Sequence, residues 1–245
     1  MYAAGKSVTG LLRKNNEDSI YISDNDCKLK NVYIVADGMG GHKAGEVASR
    51  YSVEVFKEFI NSKNDEELEE ENILDTMVEA VSVCNQKLYE KSTEYETLEG
   101  MGTTFTCAVI INYTLYAVHV GDSRAYVFSN NSLRQITRDH SFVMEMVKQG
   151  KITLEEAERH PNRNVITRAV GSEKSVLVDT AIEKLSKGDM VLLCSDGLTN
   201  MVSDSNITEI LENGGSAELM LDRLINAAND MGGNDNISAV IIDMR

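Results

Sequence analysis

Short apolar and β-branched runs follow one another through the middle of the chain with no helical pattern between them. Thr104–Ile111, Leu115–Val120 and Arg124–Phe128 are predicted strands, and Asn112-Tyr113 joins the first two as a tight hairpin would. Strands joined by such short connections pair antiparallel, because a parallel pair requires a long crossover. The chain is therefore predicted to fold around antiparallel sheet rather than repeated βαβ units.

The rest of the chain adds further strands and three amphipathic helices. The helical spacing of apolar residues falls within 47–59, 74–88 and 217–228. Residues 141–168 are polar, weakly helical and contain the single proline, Pro161, which is typical of an insertion over the surface. With no repeat or Gly/Ser-rich linker, residues 1–245 are expected to form one domain. The further predicted strands are Ser19–Ile22, Val32–Ala36, Val176–Ile182, Met190–Ser195 and Ile237–Asp243.

Charge and cysteine content exclude several classes of protein. The 39 acidic residues against 24 basic ones give a net charge of −15, and no Lys/Arg block is present. Binding to nucleic acid or to an anionic membrane is therefore disfavoured. The apolar runs are too short for a transmembrane helix, and the first residues lack the apolar core of a signal peptide. Four widely spaced cysteines without a CxxC pair fit reduced thiols, so a cytoplasmic protein is expected.

Acidic residues occur at the ends of five predicted strands. Asp37, Asp122 and Asp196 each follow a strand, whereas Glu17-Asp18 and Asp235 precede one. One Asp-Gly pair after a strand is usually a turn, but several such acids could converge at one edge of the sheets. Two carboxylates about 5 Å apart would repel by roughly 3 kcal/mol at an effective dielectric near 20. A converged cluster therefore requires protonation or bound cations.

A cluster of carboxylates limits which cations can bind and which reaction they can support. Oxygen ligands without histidine or thiolate favour hard cations such as Mg²⁺ or Mn²⁺. Two such ions that share one aspartate hydrolyse phosphate esters, because they lower the pKa of a bridging water and neutralise phosphoryl charge. A glycine beside a ligand allows the backbone carbonyl to approach the ion.

Six short segments, in order along the chain, carry a family resemblance. The sequence resembles the bacterial form of the metal-dependent protein serine/threonine phosphatases, the type 2C or PPM family. This resemblance implies an α+β fold, a four-layer αββα sandwich of two antiparallel sheets flanked by helices. It also implies removal of phosphate from phosphoserine and phosphothreonine by direct attack of a metal-bridging water. The segments are Arg13–Asp18, Val35–His42, Gly102–Thr104, Gly121–Arg124, Ser195–Gly197 and Gly233–Asn236.

The resemblance assigns roles to individual residues. Asp37 bridges two tightly bound Mn²⁺ or Mg²⁺ ions, the carbonyl of Gly38 binds one of them, and Asp196 and Asp235 complete the pair. Asp122 shares a third, weaker ion with Asp196. Glu17 and Asp18 match a position that holds metal-bound water or ligates directly, and Arg13 matches the arginine that grips the substrate phosphate. Residues 140–171 correspond to a flap beside the cleft.

The histidines show one departure from the family pattern. Eukaryotic members carry a histidine, proposed as the general acid, where this chain has Met39. His42 is the nearby candidate proton donor, and a metal-bound water is the alternative. His119 lies in an apolar strand and is predicted to be a hydrogen-bonded core residue. His140 and His160 lie in the flap and receive no role.

Several readings of the function remain open at this point. The expected substrates are phosphoproteins, with a bacterial Ser/Thr kinase as the opposing enzyme and a monomer as the expected state. Alternatives are a phosphatase of an anti-sigma-factor antagonist and a non-catalytic phosphoprotein-binding relative. Two other classes of protein are disfavoured by the segment Asp37-Gly38-Met39-Gly40. An ATP site of the histidine-kinase/gyrase type needs glycine two residues after the aspartate, where this chain has Met39. An aspartyl-phosphate phosphatase needs an Asp-x-Asp pair, which this segment does not contain. Asp24-Asn25-Asp26 is predicted to be a turn rather than a calcium site.

Overall fold

A computed structural model describes residues 1–23, 26–40 and 44–245 of the chain. Within these ranges it contains eleven strands and seven α-helices. The strands are β1 (Tyr2–Val8), β2 (Asp18–Ile22), β3 (Val32–Met39), β4 (Gly102–Thr103), β5 (Phe105–Ile111), β6 (Thr114–Val120), β7 (Arg124–Ser129), β8 (Ser132–Gln135), β9 (Asp179–Lys184), β10 (Met190–Cys194) and β11 (Ile237–Asp243). The helices are α1 (Ala44–Ser62), α2 (Ile73–Glu94), α3 (Phe142–Lys148), α4 (Leu154–Glu158), α5 (Asp196–Thr199), α6 (Asp204–Glu212) and α7 (Ala217–Asp230).

The strands form two antiparallel sheets. One has the order β1-β11-β10-β7-β8, and the other has the order β2-β3-β5-β6-β9, with β4 paired to the end of β3. The hairpin expected at Asn112-Tyr113 joins β5 to β6, and both residues have positive φ, 49° and 58°, as a tight hairpin turn requires. The prediction of antiparallel sheets within an α+β fold is confirmed.

Three hydrophobic clusters divide the molecule into four layers. One cluster, which includes Val35 and Val191, lies between the two sheets. A second packs α1 and α2 on the outer face of the sheet that contains β3, and it includes Ile34 and Phe56. The third packs α6 and α7 on the outer face of the other sheet. Successive residues of β3 alternate between the first and second clusters, so both faces of the strand are buried and its sequence is continuously apolar.

Three edge strands of the sheets differ from the sequence prediction, and one of them, β8, was not predicted at all. β1 was not predicted either, because Tyr2–Val8 has few apolar residues and only partly buried side chains. β9 begins at Asp179 rather than Val176, since Val176 and Val178 pack against the α1–α2 cluster instead of pairing with β6. All four cysteines are buried thiols. No helix in the described ranges is long and apolar enough to cross a membrane.

Candidate active site

The acidic residues at the strand ends converge on one pocket of about 250 Å³. Antiparallel pairing explains the convergence, because the end of β3 lies beside the start of β2 and the end of β10 lies beside the start of β11. The turn between β6 and β7 brings a further acid to the same end of the molecule. The predicted residues that line the pocket are Arg13, Glu17, Asp37, Gly38, Asp122, Asp196 and Asp235.

Asp37 lies within β3 rather than after it, because the strand extends to Met39. Gly38 and Met39 pair with Thr103 and Gly102 of β4, which continues the ladder past the predicted end of the strand. The Asp37 amide donates to Thr104 Oγ1 at 2.9 Å, and its carbonyl accepts from the Thr104 amide at 2.8 Å. These bonds fix the backbone from which the Asp37 carboxylate projects.

Gly38 is confined by backbone on two sides. A Cβ at this position would lie 2.0 Å from the carbonyl oxygen of Gly45 and 2.5 Å from that of Glu17. Its own amide donates to the Glu17 carbonyl at 3.1 Å. Only glycine therefore fits between the start of β2 and the first turn of α1.

Asp18 is buried opposite Asp37 in the β2–β3 register. Its Oδ2 accepts from Ser195 Oγ at 2.9 Å, whereas its Oδ1 is buried without a hydrogen-bond partner. Burial raises the pKa of Asp18 to about 7, with further contributions from the charges of Asp196 and Asp235. Asp18 does not itself line the pocket but lies against its acidic members.

The remaining aspartates come from three different elements. Asp196 is the first residue of α5, and its Oδ2 accepts from Asn200 Nδ2 at 2.9 Å. Burial raises the pKa of Asp196, and the Asp235 charge adds to the shift. Burial also raises the pKa of Asp122, in the β6–β7 turn, to about 8, with the Asp196 charge as the next cause. Burial and the charges of Asp18, Asp196 and Asp122 raise the pKa of Asp37 well above its usual range.

Arg13 approaches the pocket from the loop between β1 and β2. The amide of Leu11 donates to the Gly233 carbonyl at 2.8 Å, which ties this loop to the segment before β11. Arg13 Nη2 donates to Asp235 Oδ2 at 2.8 Å, and half of the arginine side chain is exposed. The ion pair holds the guanidinium at the mouth of the pocket.

The donor set fits hard divalent cations. The candidate ionisable ligands are all carboxylates, the charges of Asp18, Asp196 and Asp122 raise the pKa of Asp37, and Asp18 Oδ1 is buried with no hydrogen-bond partner. Within the described ranges, however, no three acidic, histidine or cysteine side chains are grouped as ligands of a single ion. Protein groups already donate to one oxygen of two of these carboxylates, Arg13 to Asp235 Oδ2 and Asn200 to Asp196 Oδ2.

Five further residues line the pocket without having been singled out from the sequence: Gly40, Thr104, Asn164, Ile166 and Asn236. The side-chain Nδ2 of Asn236 donates to the carbonyls of Thr9 and Asn15. Asn236 follows Asp235 directly and belongs to the Gly233–Asn236 segment, so this segment could have identified it as a pocket residue. Thr104 likewise belongs to the Gly102–Thr104 segment. Asn164 and Ile166 come from the flap, and nothing in their local sequence marks them. Met39 lines the pocket, as expected from its place beside Gly38, whereas His42, Asp24 and Asn25 lie outside the described residues.

The fold is shared with bacterial serine/threonine phosphatases of known structure. The Stp1 phosphatase from Staphylococcus aureus superposes with a TM-score of 0.91 at 36% identity, covering 99% of this chain and 94% of that one. The PstP catalytic domain, solved in complex with two manganese ions, superposes with a TM-score of 0.85 at 36% identity, covering 99% and 97%.

The sequence comparisons agree with the structural ones. The serine/threonine phosphatase stp of Listeria welshimeri is 37% identical over 247 residues, which cover 99% of this chain and 96% of that protein. The Protein phosphatase 2C family matches residues 13–240. The chain belongs to the protein phosphatase 2C family, as the resemblance of its six segments predicted.

Proposed function

We propose that this protein is a metal-dependent phosphatase that removes phosphate from phosphoserine and phosphothreonine in other proteins. The observation that carries the proposal is the convergence of Asp37, Asp122, Asp196 and Asp235 with Arg13 in one pocket of a protein phosphatase 2C chain. A carboxylate cluster supplies ligands for cations, and an adjacent guanidinium supplies a partner for phosphate. Together they provide what hydrolysis of a phosphate monoester requires.

The cofactors are two tightly bound Mn²⁺ or Mg²⁺ ions and a third, weaker one. Asp37, the Gly38 carbonyl, Asp196 and Asp235 would hold the tight pair, and Asp122 would hold the third ion with Asp196. Glu17 and Asp18 act through water or as direct ligands. The chemistry that such ions supply is a water of lowered pKa and neutralisation of phosphoryl charge. The PstP catalytic domain was solved in complex with two manganese ions, which supports a two-ion site in this related chain.

Arg13 orients the substrate phosphate. Its planar guanidinium can donate two parallel hydrogen bonds to phosphate oxygens, which an ammonium group cannot do. The bond to Asp235 keeps this fork over the pocket and next to the proposed metal ligands. Arg13 therefore binds the phosphate in the orientation needed for attack.

No protein nucleophile is required in this scheme. Cys194 is close in sequence to Asp196, but burial raises the pKa of its thiol to about 12, so it remains protonated. The described residues that line the pocket include no histidine, and Met39 occupies the position of the eukaryotic general acid. Water, rather than one of these side chains, supplies the proton for the leaving alcohol.

The wider setting follows from the same assignment. Residues 1–245 form one catalytic domain with a flap at 140–171, and the protein acts as a monomer in the cytoplasm. Its substrates are phosphoproteins made by a Ser/Thr kinase that it opposes, and it binds neither nucleic acid nor membranes. Phosphoproteomics of a strain that lacks the gene would identify the substrates, and enrichment of a phosphorylated anti-sigma-factor antagonist alone would favour that narrower role.

Hydrolysis of a phosphothreonine peptide and of p-nitrophenyl phosphate tests the activity directly. We expect turnover with Mn²⁺ and with Mg²⁺, loss of turnover in excess EDTA, and no covalent phosphoenzyme after acid quenching. Asp37→Asn is the matched control, since it keeps the side-chain size and removes the charge. Equal activity in EDTA would reject the metal mechanism, and binding of the phosphopeptide without turnover would identify a non-catalytic relative.

A further inference from the structure

Gly121, the residue before Asp122, is held on both sides of its backbone by one flap residue. Its amide donates to His140 Nδ1 at 3.0 Å, and its carbonyl accepts from the His140 amide at 2.7 Å. The His140 side chain is only 3% exposed, so neither bond is weakened by competing water. The peptide that leads into Asp122 is therefore clamped by His140.

The protonation of His140 follows from its partners. Because Nδ1 accepts from the Gly121 amide, the ring proton lies on Nε2, 3.2 Å from Asp179 Oδ2. Arg168 donates to the other oxygen of the same carboxylate at 2.6 Å. Burial lowers the pKa of His140, and the charge of Arg168, whose Nη1 lies 3.0 Å from Nε2, lowers it further, so the neutral ring is favoured. Asp179, at the start of β9, therefore binds the ring at Nε2, and the Gly121 amide binds it at Nδ1.

His140 also holds the returning arm of the flap. Its carbonyl accepts from the Thr167 amide at 2.8 Å, and Ser141 pairs with Ile166 in the next antiparallel bridge. Ile166 lines the acidic pocket. His140 therefore joins two parts of the site: the β6–β7 turn, which contains Asp122, and the part of the flap that faces the pocket.

The turn passes close to Thr104 on both sides of Asp122. Gly121 has a φ of 111°, and a Cβ there would lie 2.6 Å from the Thr104 side chain. On the other side of Asp122, Ser123 Oγ lies 2.7 Å from Thr104 Oγ1, the same hydroxyl that accepts from the Asp37 amide. Both neighbours of Asp122 are therefore held by side chains, Gly121 by His140 and Ser123 by Thr104, so loss of the His140 bond releases one end of the turn.

We propose that His140 is a positioning residue for the phosphatase reaction, which sets the Asp122 carboxylate by accepting the Gly121 amide proton at Nδ1. The inference rests on the role proposed above for Asp122. His140 does not line the pocket, and it reaches the pocket by two routes, the Gly121 peptide and the flap segment that its own backbone holds. A side-chain substitution keeps the backbone route, so its effect tests the bond from Nδ1.

Two substitutions separate the functions of the two ring nitrogens. Asparagine places an amide oxygen near the position of Nδ1, so His140→Asn keeps an acceptor for the Gly121 amide and loses the bond to Asp179. Glutamine places an amide nitrogen near the position of Nε2, so His140→Gln keeps the bond to Asp179 and loses the acceptor. His160→Asn is the matched control, because His160 is a half-buried flap histidine with no role in this scheme, and asparagine keeps an acceptor for the Asn162 amide that now donates to Nδ1.

Three measurements are compared for each variant: exchange of the Gly121 amide by NMR in metal-free protein, kcat and KM on a phosphothreonine peptide with Mn²⁺, and the melting temperature. We expect His140→Gln to exchange the Gly121 amide at least tenfold faster than wild type and to lose at least tenfold in kcat. We expect His140→Asn and the control to stay within about threefold of wild type in both, with KM little changed.

Several outcomes would overturn the role proposed for His140. Equal kcat for the Asn and Gln variants, or losses that follow the melting temperature alone, would reduce His140 to a structural anchor and overturn the proposal. Faster Gly121 exchange with unchanged kcat would also overturn it. An inactive wild type would reject the proposed function, whereas the Gly121 exchange contrast in metal-free protein would still decide whether the Nδ1 bond holds this turn.

Discussion

Asp18 stands directly opposite Asp37 in the antiparallel pair of β2 and β3, so two carboxylates face the same side of the sheet beside the pocket. Residues in this relation have Cβ atoms roughly 4.5–5.5 Å apart. The charge of Asp18 is the largest cause, after burial, of the raised pKa of Asp37. The metal-free protein thus carries a concentrated repulsion at the place where function is proposed.

This repulsion predicts how stability depends on pH and metal. The pKa of Asp18 is raised to about 7 and that of Asp122 to about 8, so between about pH 4 and 8 the folded state binds more protons than the unfolded state. The free energy of unfolding of metal-free protein therefore falls as the pH rises through this window. Cations bind the ionised cluster, so Mn²⁺ should raise the melting temperature more at pH 8 than at pH 6.

The size of that effect can be bounded. A cation at 100 times its dissociation constant, bound to the native state alone, adds about 2.7 kcal/mol to the free energy of unfolding. Scanning calorimetry with Mn²⁺ and with EDTA measures the increment, which Asp37→Asn and Asp235→Asn should largely remove. If the melting temperature of the wild type at pH 8 is the same with Mn²⁺ and with EDTA, the carboxylates do not bind a cation.

Replacement of Arg13 by alanine should weaken phosphate binding while the metal pair stays bound. Charge-assisted hydrogen bonds contribute about 1.5–3 kcal/mol, which corresponds to a loss of about tenfold to a hundredfold in kcat/KM. Arg13→Lys keeps the charge but not the fork, so an intermediate loss is expected. Steady-state kinetics on a phosphopeptide and inhibition by inorganic phosphate measure this, and kinetics equal to wild type would remove Arg13 from the site.

Asp122→Ala should retain the fold and two tightly bound ions yet lose most turnover. Asp122 is assigned to the weaker third ion only, which keeps more of its water. The loss should be larger on phosphopeptides than on p-nitrophenyl phosphate, whose good leaving group needs little protonation. Calorimetric counting of bound metal is paired with kinetics on both substrates; loss of the tight pair would show instead that Asp122 belongs to it.

Gly38→Ala should damage both stability and activity. The added methyl would lie 2.0 Å from the Gly45 carbonyl oxygen, and backbone cannot yield as a flexible side chain can. Overpacking of this kind costs about 1–3 kcal/mol, and more where backbone must move. Gly102→Ala, on the strand paired with Gly38, is the control because its nearest neighbour would be 3.4 Å away. Thermal melts that place both variants at the wild-type temperature would contradict the tight approach.

Most of the fold was predictable because its signals are local. The strands from β5 to β7 are continuous apolar runs with short turns, and the helix α7 shows apolar residues at three-four spacing. β1 escaped prediction, since its polar and small residues are selected by pairing with β11 more than two hundred residues away in sequence. Edge strands of this kind lack the two-sided burial that marks a central strand.

The residue types of the candidate site were visible in the sequence, but their relations were not. Acids next to glycine at strand ends identify the candidate ligands, because turn chemistry and family segments are local properties of the chain. Which acid faces which depends on register and sheet order: Asp18 meets Asp37 through β2–β3 pairing, and Arg13 meets Asp235 across 222 positions. His140 shows the difference most clearly, since nothing near it in sequence predicts a bond to Gly121. Tertiary structure alone decided these contacts, because an antiparallel register joins residues by their distance from a turn and not by their chemistry.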